Sequence, residues 1–297
     1  MVSNKNILIA QGGGPTNVIN QSLVGIIQQE KKYESKILGS INGVNGIINN
    51  RFISLNKVSD KDLKLIANTP GAALGSTRDK PDKKYCKEIL KILKNKKISK
   101  FYYIGGNDSS DSLRIISEYA KDIKYKLQCI HIPKTIDNDL VCNDHTPGFG
   151  SAAKYVAQLF SGINYDVKSL PGVYLGIVMG RHAGFLTASS SLLKKENDDG
   201  PNLIYIPESP FEINTFLNQI KSVFNKSGRC VIAISEGIQD KNKKLISQKI
   251  IKKNEYDAHG NIQLSGTGSL GDYLSGEIKG KLKLPRVRAD TLGYPQR

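Results

Sequence analysis

Two carboxylates flanking an asparagine, with a lysine and a threonine just ahead of them, make Pro133-Lys134-Thr135-Ile136-Asp137-Asn138-Asp139 the segment of this chain densest in chemistry. Asp, Asn and Pro are common turn formers, yet a turn requires neither two acids nor a lysine. Phosphoryl transfer uses both: an acceptor for the proton of a hydroxyl nucleophile, and a cation that offsets charge on the group in transit. Two glycine loops suit an anion, Gly12-Gly13-Gly14 and Gly105-Gly106, the second followed by Asn107-Asp108-Ser109. Glycine lets the backbone approach closely and aim N–H groups outward at a helix start. The Asp108 carboxylate opposes a bare anion but suits an oxygen-ligated Mg²⁺, to which Asn107 offers a further oxygen.

Downstream, Met179-Gly180-Arg181-His182 and Ser235-Glu236-Gly237 each follow a strand-like run, and Arg286, Arg288 and Arg297 crowd the end of the chain. The arginine fork fits phosphate or carboxylate. No GxxxxGK[ST] is present, so neither glycine loop is a P-loop. A GxGxxG does occur over 266–271 with Asp290 beyond it. The short, half-polar run before it and the expected break of the next helix at Gly276 and Gly280 argue against a dinucleotide turn.

These residues need a scaffold to hold them. Apolar, β-branched runs predict strands over 7–10, 101–104, 128–132, 173–178, 203–206, 229–234 and 284–287. Amphipathic spacing predicts helices over 16–30, 82–94, 109–121, 151–163, 182–193 and 210–225. The alternation indicates an α/β protein with open parallel sheets, whose ligands sit beyond the carboxyl ends of the strands. Both glycine loops and the 133–139 segment fall at such ends. A domain change is expected near 140–150.

With 297 residues, 39% hydrophobic and 24% charged, the composition is that of an ordinary globular protein with ample core. No apolar run reaches the ~18 residues that span a membrane, and the N-terminus does not read as a secretory signal. The four cysteines form no CxxC pair, which predicts free thiols and a cytoplasmic location. A net charge of +16 suggests a polyanion partner, but only eight of the 43 basic residues are arginine and the lysines are scattered. The densest cluster, Lys241–Lys253, lacks interleaved aromatics. No nucleic-acid partner is expected.

In order and spacing, GGNDS (105–109), PKTIDNDL (133–140), TPGFGSAAKY (146–155), MGRHAG (179–184), SEG (235–237) and LGYPQR (292–297) resemble the phosphofructokinase family. The resemblance runs from Ile7 to the last residue. It implies two Rossmann-like lobes of mostly parallel sheet flanked by helices, with the active site in the cleft between them. The implied division is a phosphoryl-donor lobe over 1–145 and a fructose 6-phosphate lobe over 146–297. Relative to the family the second lobe reads as shortened at its C-terminus. The implied activity is Mg²⁺-dependent phosphoryl transfer to the C1 hydroxyl of fructose 6-phosphate.

By the same resemblance Asp137 is the general base. Thr135, Ile136, Met179, Gly180, Arg181 and Glu236 contact the sugar, while Tyr294 and Arg297 surround its phosphate. Arg288 reaches the 6-phosphate of a neighbouring subunit, which implies a homodimer or homotetramer. Gly12, Gly106 and Arg78 hold the donor phosphates, and Asn107 with Asp108 holds the metal. Asp108 and Lys134 resemble the pyrophosphate-using branch, where ATP users carry glycine or another small residue. A carboxylate beside an ATP α-phosphate opposes it by up to ~4 kcal/mol at ~4 Å and an effective dielectric of ~20. Pyrophosphate is therefore the expected donor. An ATP-dependent 6-phosphofructokinase and a non-catalytic sugar-phosphate binder are the alternatives. Asn107 stands where many members carry aspartate. Gly172 replaces an intersubunit arginine of ATP users, with Lys168 the nearest substitute.

Overall fold

The computed structural model describes residues 6–33, 35–250, 268–284 and 286–297. They form two compact units. One contains residues 6–33, 35–135 and 146–148, and the other contains residues 136–145, 149–250, 268–284 and 286–297.

The first unit is built on a five-stranded sheet of order β3-β2-β1-β4-β5, from β1 (Asn6–Gln11), β2 (Ile37–Ser40), β3 (Phe52–Ser54), β4 (Ile98–Gly105) and β5 (Gln128–Pro133). All pairs are parallel except β2 with β3. The helices of this unit are α1 (Ile19–Lys31), α2 (Gly43–Ile48), α3 (Asp60–Ala67), α4 (Lys83–Asn95) and α5 (Asn107–Asp122). Two apolar layers result. Leu8, Phe101 and Tyr103 pack with Ile89, Leu93 and Ile116 in one, and Ile9, Ile37 and Ile104 with Leu23 and Ile27 in the other. Strands covered on both faces are largely apolar, as the inner runs Ile7–Ala10 of β1 and Phe101–Ile104 of β4 are.

The second unit carries a parallel sheet of order β7-β8-β6-β9, from β6 (Val173–Val178), β7 (Leu203–Tyr205), β8 (Cys230–Ser235) and β9 (Val287–Thr291). Its helices are α6 (Phe149–Ser169), α7 (Phe185–Ser189), α8 (Ile213–Ser227), α9 (Ile246–Ile250) and α10 (Ser269–Leu282). Helix α8 is capped at its start by the Glu212 carboxylate, which accepts from the N–H groups of Asn214 and Thr215, and ends at Gly228 in the left-handed region.

The α/β class and the parallel sheets agree with the sequence reading. Four local expectations do not. The helix expected over 182–193 shrinks to α7, because Gly184 N–H is taken by the Glu208 carboxylate at 2.8 Å. In addition, the hydroxyls of Ser189, Ser190 and Ser191 donate back to the carbonyls of Leu186, Thr187 and Ala188, and such local bonds compete with the helical ladder. The break expected at Gly276 and Gly280 is absent: α10 is continuous. Its buried stripe Leu270, Leu274 and Ile278 packs on the sheet, and both glycines face open space. The last strand begins at Val287 rather than at 284. The short strands β2 and β3 are additional. Gly266 and Thr267 of the GxGxxG run, and Lys252 and Lys253 of the lysine cluster, lie outside the described residues.

Candidate functional site

In the first unit the parallel register sets Gln11 beside Ile104 and Gly105 beside Pro133, so the loops after β1, β4 and β5 leave one edge of the sheet together. Backbone bonds stitch them: Gly12 N–H donates to Ile104 O at 2.8 Å, and Lys134 N–H to Gly105 O at 2.9 Å. A Cβ at Gly12 would lie 2.5 Å from Ser109 Oγ and 2.7 Å from Tyr103 Oη, so glycine is required there by packing. Lys134 is buried at 4% exposure, and its Nζ donates to Gly14 O at 2.7 Å. The cation expected at the donor is thus held inside the glycine loop by a carbonyl of that loop.

Two positioning groups in this unit escaped the sequence reading. Ser76 Oγ donates to Gly13 O at 2.5 Å while Gly13 N–H donates to Thr77 O at 3.0 Å, so the segment carrying Arg78 clasps the glycine loop. His131 Nε2 lies 2.8 Å from Gly105 O, and burial lowers its pKa, which keeps the ring neutral. Neither stands in a recognisable motif, so only the fold exposes them. Arg78 itself is exposed.

Gly106 caps α5, whose first two residues are Asn107 and Asp108, both exposed. Helix N-termini carry partial positive charge and favour anions. Among the described residues no group of three or more His, Cys, Asp or Glu side chains gathers as a metal site. The exposed Asn107 and Asp108, beside the glycine loops, carry oxygens of the kind that suit an ion that keeps several waters and takes its remaining ligands from phosphate.

In the second unit the register pairs Val178 with Ser235 and Ile177 with Thr291. Met179–Arg181, Glu236 and the residues after β9 therefore emerge at one sheet edge. Glu236 is 6% exposed, and its N–H donates to Val178 O at 2.8 Å. Burial pushes its carboxyl up to about 7, and the nearby Asp137 carboxylate adds to this. Arg181, the Gly180 backbone and Arg297 pull the other way. Asp137, Arg181, Glu236 and Arg297 are thus brought into one electrostatic cluster.

Gly180 has φ +127, and a Cβ there would sit 2.5 Å from Ala183 O. Its carbonyl accepts from Ser235 Oγ at 2.5 Å, which ties the arginine loop to the glutamate loop. Ile136, Met179 and Leu292 share one buried cluster, so Ile136 acts in packing. Thr135 donates its N–H to Pro147 O at 3.1 Å in the first unit. Tyr294 is 65% exposed, with the Arg297 guanidinium 4.7 Å from its ring centre. Arg288 does not join this cluster. It pairs in register with Tyr174, four residues before β6 ends, about 13 Å back along the strand. It is exposed on β9, which flanks the described sheet.

Gly172 is demanded by packing, since a Cβ there would lie 2.9 Å from Arg286 Cβ and Arg286 O. Lys168 is engaged with Asp199 at 2.5 Å and so serves the interior of its own unit. The cysteine thiols are free, and burial raises Cys86 and Cys129 to about 11, consistent with unreactive side chains.

A family model described as Phosphofructokinase matches residues 6–297. A protein of Rhodospirillum rubrum named pyrophosphate--fructose 6-phosphate 1-phosphotransferase is 56% identical over 293 residues, which is 98% of this chain and 72% of that one. A protein of the same name from Xanthomonas campestris is 37% identical over 290 residues, covering 95% of this chain and 68% of its own length. A crystal structure of a pyrophosphate-dependent phosphofructokinase from Nitrosospira multiformis superposes with TM-score 0.84 at 31% identity, over 99% of this chain and 70% of that one.

Proposed function

The chain belongs to the phosphofructokinase family, and from that premise we propose that it transfers a phosphoryl group from pyrophosphate to the C1 hydroxyl of fructose 6-phosphate. The products are fructose 1,6-bisphosphate and orthophosphate, in a glycolytic reaction. The observation that carries the donor assignment is Lys134: a buried ammonium fixed within the glycine loop, three residues before Asp137, in a chain 56% identical to a named pyrophosphate user.

Pyrophosphate lies against the glycine loops at Gly12–Gly14 and Gly106, with Lys134 and Arg78 offsetting its charge. A divalent metal fits the oxygens of Asn107 and Asp108, and Mg²⁺ is the reading their donor chemistry favours. When bound it neutralises phosphoryl oxygens. Asp137 accepts the proton of the C1 hydroxyl, a role that depends on its placement within reach of that hydroxyl. Arg181, Glu236, Tyr294, Arg297 and the Thr135–Ile136 and Met179–Gly180 backbone hold the sugar phosphate. Arg288, away from its own sheet edge, serves the sugar phosphate of a second copy, so the working form is a homodimer or homotetramer. No described helix is long and apolar enough to cross a membrane, and we read the enzyme as cytoplasmic. Donation by ATP and non-catalytic sugar-phosphate binding are the less favoured readings.

The test is product formation followed by phosphorus NMR with fructose 6-phosphate, pyrophosphate and Mg²⁺. A C1 phosphate ester and orthophosphate should appear together in equal amounts. Orthophosphate without the ester would contradict the assignment.

A further inference from the structure

The turn Tyr294–Gln296 and the loop after β6 are joined by one buried side chain that the sequence reading left unassigned. Gln296 is 1% exposed. Its Oε1 accepts from Met179 N–H at 3.3 Å, and its Nε2 donates to Gly293 O at 3.2 Å. The amide thus spends an acceptor on one loop and a donor on the other. Leu292 N–H donates to Ile177 O at 2.9 Å where the strand ends, and Arg297 N–H donates to Tyr294 O at 3.0 Å within the turn itself.

A buried amide is costly unless both of its ends are bonded, whereas leucine or methionine fills a similar volume without that cost. Here both ends are bonded to backbone, on either side of the cluster that holds Arg181 and Arg297. We infer that Gln296 is a positioning residue for the sugar phosphate, setting the Met179–Arg181 loop against the Tyr294–Arg297 turn so that the two arginines address one phosphorylated sugar. The inference rests on the function proposed above. Both of these bonds lie within the second unit, so the effect of Gln296 is expected on the sugar.

The experiment compares the unaltered chain with Gln296→Leu and Gln296→Glu, reading fructose 6-phosphate Kd by calorimetry and KM for each substrate. In Gln296→Leu the sugar Kd and KM should weaken about tenfold or more, the cost of one to two hydrogen bonds, while the pyrophosphate KM stays within about twofold. A buried glutamic acid keeps its proton at mildly acid pH and can then accept and donate as the amide does. The ratio of the Gln296→Glu Kd to that of the unaltered chain should therefore be within about threefold near pH 6 and rise about tenfold by pH 8. If Gln296→Leu does not fold, this pH series decides alone.

Unchanged sugar binding in Gln296→Leu, a parallel loss for both substrates, or a flat ratio in Gln296→Glu would each overturn the inference. Failure of the unaltered chain to turn over with pyrophosphate would overturn the donor reading while leaving the Kd comparison intact. Failure of that chain to bind fructose 6-phosphate at all would remove both.

Discussion

Asp137 and Glu236 lie close enough to interact yet are set for different work. Asp137 is half-buried on the loop after β5, while Glu236 is enclosed at the end of β8. Replacing Asp137 by Asn removes the proposed proton acceptor and keeps the shape. We expect kcat to fall about a thousandfold, in the range for a lost general base, with sugar KM changed only a few-fold. Comparable losses in kcat and KM would reassign Asp137 to binding. Glu236 makes a linkage prediction. Its carboxyl is raised from 4.5 to about 7 in the folded chain, by burial first and by Asp137 second. The folded state therefore holds a proton that the unfolded chain has already released. Its contribution to stability is complete below about pH 4.5 and is lost as pH rises through about 7, a difference of roughly 3 kcal/mol. Glu236→Gln should thus resist urea better than the unaltered chain near pH 8 and match it near pH 4.5. Equal midpoints at both pH values would show that Glu236 is not desolvated as described. Such a gain in stability would accompany weaker sugar binding, the usual trade at a functional site.

At the level of elements, glycines decide where loops come close. Gly12→Ala places a methyl against Ser109 and Tyr103, and overpacking of this kind costs about 1–3 kcal/mol. We expect a lower unfolding midpoint and a raised pyrophosphate KM. Gly276 is the opposite case. It lies mid-helix with open space beyond it, so Gly276→Ala should stabilise the chain by about 0.5–1 kcal/mol, read by denaturant titration. A neutral or destabilising result would mean that the glycine has a packing role. The same two positions show what the sequence makes legible. Gly12 is readable because a strand, three glycines and a helix succeed one another within one window. Gly276 misleads because helix propensity is weak against tertiary packing, and Leu270, Leu274 and Ile278 hold α10 together. Strand β6 was legible from its apolar run, whereas β2 and β3, four and three residues long, offer too little pattern to find. Gln296 sat in view between Tyr294 and Arg297, but its bonds depend on a loop 117 positions away, which no local pattern encodes.

For the whole molecule, charge separates what steers from what specifies. The net charge of +16 favours encounter with any anion and carries no selectivity. Any binding to DNA should be non-specific and fall steeply with salt. On the proposed function, selectivity for the donor rests on two side chains, Asp108 and Lys134, that differ in exposure. Asp108 is exposed, so its repulsion of an additional phosphate is screened toward the ~1 kcal/mol expected in water at ~4 Å. Lys134 is buried and held by Gly14 O, so it bears more of the preference. The deciding quantity is kcat/KM for pyrophosphate and for ATP, measured on one preparation with fructose 6-phosphate and Mg²⁺. Pyrophosphate should be preferred by about a hundredfold or more, equivalent to about 3 kcal/mol, and Lys134→Gly should erase most of that preference. Equal use of the two donors, or a preference for ATP, would contradict the account.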